Sequence, residues 1–146
     1  MAVARFPRPV TGRPVGFTLV EVATVCAVVG VLAAVAVPSW QQQLAQGRRA
    51  DAVEALTRVQ QAQEQYRSAH GLYAHELSAL RGVPTGATTQ GFYTLALQST
   101  GAEAYRATAR PSVGSPQLRD NACAELTLDV NQGFARMGPQ RRCWNR

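Results

Sequence analysis

One carboxylate, Glu21, stands in an otherwise apolar run, FTLVEVATVCAVVGVLAAVAV, over residues 17–37. At the centre of a membrane helix such a charge costs about 2.5–3.5 kcal/mol, and less near an end. No basic residue lies within the run to offset it. An intramembrane acid is therefore a candidate functional residue that needs a partner from elsewhere. A second constellation lies at the carboxy end, where Arg136, Arg141, Arg142 and Arg146 surround Trp144 with no acid among them. Guanidinium groups beside an indole can grip phosphates and stack a base. The competing reading is a solvated basic tail with Trp144 packed on a sheet. Other chemistry finds little support. His70 and His75 are five apart with Gly71 between them, the wrong spacing for a metal pair on one helix face. Asp120, Glu125 and Asp129 are scattered, and the last 17 residues hold no acid, whereas calcium needs several oxygens at one point.

The chain has no lysine, which excludes a Schiff-base or phosphate-loop lysine. HExxH, paired CxxC and G-x-S-x-G patterns are absent as well. The chain is accordingly expected not to be an enzyme and to carry no cofactor or metal. Its 146 residues are 46% hydrophobic and 16% charged, which argues for one small ordered domain with an appendage rather than disorder. The net charge of +6 is uneven. Arg5, Arg8 and Arg13 lie in the first sixteen residues without an acid, leaving only +3 for the rest. The pI near 10.0 thus overstates the case for nucleic acid.

Residues 17–37 form a run of 21, enough for a helix of roughly 30 Å, the thickness of a bilayer core. The basic flank precedes it, so the amino terminus is expected in the cytoplasm and the remainder across the membrane. A cleaved secretory signal is the alternative, since Ala34-Val35-Ala36 has the A-x-A form of a signal-peptidase site. Glu21 argues against it, because a discarded segment gains nothing from an expensive charge.

Gly16-Phe17-Thr18-Leu19-Val20-Glu21, followed by the apolar run and Pro38, resembles the class III signal of type IV pilins and pseudopilins. The resemblance implies cleavage between Gly16 and Phe17 by a membrane-embedded prepilin peptidase, then N-methylation of Phe17. It also supplies a partner for Glu21, the new terminal amine of a neighbouring subunit, since a paired buried charge is tolerable where a lone one is not. The apolar helix would serve twice, as anchor in the inner membrane and then as filament core. Gly30 and Pro38 match the family's helix-weakening positions. Proline removes one backbone donor, leaving the carbonyl of Ala34 unbonded, and glycine adds conformational freedom. Close helix packing is the alternative role for Gly30.

From residue 39 the pattern becomes amphipathic, with Leu44, Val53, Leu56, Val59, Ala62 and Tyr66 at spacings of three or four. The helix is expected to run to about residue 69 and end near Gly71. Glu54 and Arg58 stand in favourable i,i+4 order. Arg48-Arg49-Ala50-Asp51 resembles a basic motif of many pilins, or is a solvated face. A short helix is expected at residues 75–80 and a loop at 83–91. Strands are expected at 92–97, at 103–109 with Tyr105, Ala107 and Ala109 on one face, and at 125–130 with Leu126, Leu128 and Val130 facing in. The expected fold is α+β: a long helix laid on a small antiparallel sheet of three or four strands, as in type IV pilins.

Residues 71–146 form a small body with a modest core, so a covalent staple is expected. Cys123 and Cys143 can provide it, while Cys26 lies in the apolar run as a small hydrophobe. The periplasm permits the bond, and the resemblance agrees, since pilins commonly close a carboxy-terminal loop this way. The division is thus a leader at 1–16, an assembly helix at 17–38, an amphipathic continuation at 39–70 and a globular part at 71–146. The implied function is a structural subunit, a minor pilin of a type IV pilus. Its partners would be other pilin subunits, the prepilin peptidase, the assembly machinery and, before assembly, the lipid bilayer. The alternatives are a type II secretion pseudopilin and a DNA-binding pilin whose contacts are Arg136, Arg141, Arg142 and Trp144.

Overall fold

The computed structural model describes residues 16–144. The leader expected at 1–16 lies, apart from Gly16, outside the described residues. The first element is α1, Leu19–His70. Its start follows from Thr18, whose Oγ1 accepts the Glu21 amide at 3.2 Å, satisfying one of the donors a helix leaves open at its amino end. Thr18-Leu19-Val20-Glu21 has the S/T-x-x-E form of a capping box. Its end follows from Gly71, which takes φ +77°, the left-handed conformation that closes helices at low cost. The chain divides into two units, one ending at Pro38 and one beginning at Ser39.

In the first unit the described side chains of α1 are exposed throughout, valines and leucines included. Gly30 and Pro38 both lie inside the helix.

In the second unit α1 buries Ala52, Ala55, Leu56, Val59 and Ala62, with Val53 and Tyr66 packed at the margin. Leu44, expected on this face, is exposed. The helix packs on a four-stranded antiparallel sheet ordered β1-β2-β3-β4. The strands are β1 (Tyr93–Gly101), β2 (Ala104–Pro111), β3 (Leu126–Asn131) and β4 (Phe134–Gly138). Tyr105, Ala107 and Ala109 of β2 and Leu126, Leu128 and Val130 of β3 are buried, the inward sets read from alternation. They meet the helix through a core that includes Tyr73, edge-on to Tyr105 with ring centroids 4.8 Å apart. Gln132 and Gly133 both have positive φ, the two-residue turn that matches strand twist and folds β4 back on β3. The short helix expected at 75–80 contracts to a 3₁₀ turn, Leu77–Ala79, and no side chain caps its start.

Two features hold the loops. Gln63 is fully buried and clasps both backbone groups of Ala74, donating to its carbonyl at 3.0 Å and accepting its amide at 2.8 Å. This pins the segment after Gly71 back onto the helix. Cys123 and Cys143 form the expected disulfide, 20 residues apart in sequence. Closing such a loop contributes roughly 3 kcal/mol in the chain-entropy model. Burial pushes the Tyr105 hydroxyl well above the ordinary tyrosine pKa, and among the described residues that hydroxyl has no hydrogen-bond partner.

Candidate functional site

Glu21 is the third residue of α1, in its first turn. A helix carries partial positive charge at this end, which favours a carboxylate there. The residue that breaks the apolar pattern is thus placed where a helix tolerates it best, and the Thr-x-x-Glu spacing was the signal for this. Around it, Phe17, Val22, Val25 and Cys26 line a shallow hollow of about 260 Å³. Among the described residues no cation pairs with Glu21. A Cβ added at Gly30 would meet nothing within 4 Å, so nothing in the described part of the chain packs closely there. Over residues 19–37 the surface of α1 is lipid-like on all sides, with one carboxylate near its start. Such a surface can sit in a bilayer or in the middle of a helical bundle.

The Arg48–Asp51 stretch is not a solvated face. The Arg48 guanidinium lies over the Phe92 ring, 5.7 Å from its centroid. Arg49 is 6% exposed and grips Asp120 with two bonds, Nε to Oδ2 at 2.6 Å and Nη2 to Oδ1 at 2.8 Å. The bond to Asp120 holds the Arg49 pKa above its ordinary value against the opposing effect of burial. Asp51, 2% exposed, accepts from the Thr88 hydroxyl and from the Gln90 amide at 3.1 Å. Gln117 donates to the Ala45 carbonyl at 3.2 Å and to the Tyr93 hydroxyl at 2.7 Å. Its own side-chain oxygen is buried without a partner among the described residues. Arg49 and Gln117 clasp the connection between β2 and β3 onto α1, while Asp51 holds the segment that leads into β1. Partners 71 and 37 residues away carry the clasp, so no local pattern announced it.

Arg136, Arg141 and Arg142 are exposed and lie on two different elements. Arg136 is on β4, where the sheet register aligns it with Asp129 of β3 and, beyond that, Arg106 of β2. Arg106 pairs with Asp129. Arg141 and Arg142 lie in the closing 3₁₀ turn, Arg141–Trp144, tied by Cys143 to Cys123. No carboxylate pairs with any of the three among the described residues. Trp144 is 4% exposed and its indole N–H donates to the Gly138 carbonyl at 2.9 Å. Its ring is therefore spent on packing, and the base-stacking role considered for it is corrected. His70 stacks on Tyr66 with ring centroids 4.0 Å apart, while His75 is exposed. No group of three or more metal-ligating side chains gathers among the described residues.

Comparison with known proteins agrees with this architecture. Residues 38–127 match the family model described as "Type IV minor pilin ComP, DNA uptake sequence receptor". The chain is also similar to the type IV major pilin protein PilE of Neisseria gonorrhoeae, 33% identical over 78 residues. That alignment covers 53% of this chain and 46% of the relative, so the chain spans about half the length of the curated pilin it matches. Neither the Gly16–Glu21 motif nor Cys143 falls within the family match, so both are independent of it. With more than half its length matched, its helix-on-sheet fold and its disulfide-closed loop, the chain belongs to the type IV minor pilin family, whose members are structural.

Proposed function

We propose that the chain is a minor structural subunit of a type IV pilus. Prepilin peptidase cuts between Gly16 and Phe17 and methylates the Phe17 amine. The apolar half of α1 then anchors the subunit in the inner membrane with the second unit in the periplasm. On assembly the same helix joins the filament core, with Glu21 opposite the terminal amine of a neighbour. One observation carries this reading: the first part of α1, residues 19–37, is exposed and apolar, and its one charged side chain is Glu21 in the first turn, five positions beyond Gly16.

The intact mass of the chain recovered from membranes tests it. The expected mass begins at Phe17 and includes one methyl group. A mass beginning at Val37 would mean ordinary secretion, with α1 cut and Glu21 discarded, and would overturn the reading.

A role in DNA uptake is a second reading, favoured over a secretion pseudopilin by the description of the matched family. Arginines without carboxylate partners are its candidates, Arg136, Arg141 and Arg142 among them. Binding of duplex DNA by the chain in mild detergent should weaken linearly with log salt. Replacing the three with glutamine should shallow that slope by roughly 0.9 for each phosphate that no longer meets an arginine. An unchanged slope and affinity would remove these residues from the reading.

A further inference from the structure

We infer, on the membrane anchoring proposed above, that the end of the second unit built on the first turns of its helix is a docking face for an anionic lipid surface. Three 3₁₀ turns converge there. Gln117 of Pro116–Arg119 donates to Ala45, and Asp120, just before Asn121–Cys123, holds Arg49. The carbonyl of Arg142, in Arg141–Trp144, accepts from Arg49 at 3.5 Å, and the disulfide ties the last two turns together. The one acid in this cluster, Asp120, is consumed by Arg49, its side chain 7% exposed. The charge left on the surface is therefore all positive: Arg119, Arg141 and Arg142 are exposed with no carboxylate partner among the described residues.

Apolar side chains are exposed on the same β2–β3 connection and on the stretch of helix that it is held to. Val113, two residues after β2 in the β2–β3 connection, is fully exposed, and Leu118 is 56% exposed between buried Gln117 and exposed Arg119. On the helix itself Trp40 is 66% exposed and Leu44 40%. Monomers seldom present such residues without a use when they cluster. Apolar tips among guanidinium groups, with a tryptophan, match the demands of a headgroup layer, where phosphates meet the ends of acyl chains. Bare nucleic acid would satisfy the arginines but not Val113 or Leu118. The partner is therefore the anionic phospholipid of the bilayer that holds the unassembled subunit. The arginines return to solvent when the subunit leaves for the filament.

The test uses the full chain with Cys26→Ser and Val113→Cys, labelled with an environment-sensitive fluorophore and reconstituted into vesicles. One set is phosphatidylcholine alone; the other adds phosphatidylglycerol at roughly one part in three. Lipid-borne quenchers should reach the label about tenfold more effectively in the anionic vesicles, the order expected for a few basic residues at such a surface. The difference should vanish at high salt. Arg119→Gln/Arg141→Gln/Arg142→Gln should abolish it, and the corresponding triple lysine variant should restore it. A label at Gln98 on β1 should stay aqueous in both. Flotation after alkaline extraction reports anchoring separately. A chain that fails to float overturns the anchoring and this inference with it. A chain that floats with the Val113 label aqueous in both lipids, or equally quenched in both, overturns the inference alone. So does an aqueous label combined with binding of duplex DNA that depends on the three arginines, which would assign the face to nucleic acid.

Discussion

Arg49→Ala should cost the second unit about 3–5 kcal/mol, the range for removing one partner of a buried ion pair. The penalty arises less from the lost attraction than from what stays behind. Asp120 would remain at 7% side-chain exposure with a charge that only the weak Gln117 contact at 3.5 Å addresses. Domains of this size are stable by only about 5–15 kcal/mol in total, so the clasp accounts for a large share. In mild detergent, a melt followed by the fluorescence of buried Trp144 should shift down by roughly 10–20 °C. The diagnostic comparison is the double variant Arg49→Met/Asp120→Leu. Both charges are then gone and apolar volume fills the site, so most of the stability should return. If the double variant is as unstable as Arg49→Ala, the pair is a packing element whose shape matters and whose charge does not. The exposed pairs make a useful contrast. Glu54–Arg58 and Arg110–Glu125 face solvent, and breaking either should cost well under about 1 kcal/mol.

That clasp also marks where local patterns stop being informative. The long helix was legible because its apolar run and its later three-and-four spacing each span many turns. The inward faces of β2 and β3 were legible because Tyr105-Ala107-Ala109 and Leu126-Leu128-Val130 alternate cleanly. β4 was not, since it is a short outer strand with four of its five residues exposed, Phe134 among them, so burial imposes no alternation on it. Arg49, Asp51, Gln63 and Gln117 read as polar-face or loop residues by type, yet all four are buried. Their partners are 11 to 72 residues away, on elements or loops whose path the sequence does not specify. A polar side chain looks the same in a sequence whether water or a distant carboxylate completes its bonds. Trp144 shows the converse: the basic flank left a base-stacking ring and a packed ring both open, and one carbonyl on Gly138 and the disulfide beside it decided for the interior.

Glu21→Gln should leave the subunit in the membrane and remove it from the filament. The amide keeps the shape and can still follow Thr18 at the helix start, but it cannot neutralise a cation. In the bilayer the change is neutral or favourable, because a carboxylate there costs free energy that an amide costs less of. In the filament core the terminal amine of a neighbour would be left without its counter-charge, a penalty of about 3–5 kcal/mol. That lowers incorporation by roughly two to four orders of magnitude. The subunit's share in sheared filaments against membranes, measured alongside the intact mass, separates the possible causes. A mature, methylated chain that stays in the membrane and is missing from filaments supports charge pairing. An unprocessed chain would move the role of Glu21 to recognition by the peptidase. Normal incorporation of the processed variant would show that the lipid-like surface of α1 suffices for assembly, with Glu21 serving only as the first-turn acid of its helix. Glu21→Asp adds a distance test: it retains the charge but withdraws it by one methylene, so incorporation should fall between the two extremes if a direct contact is made.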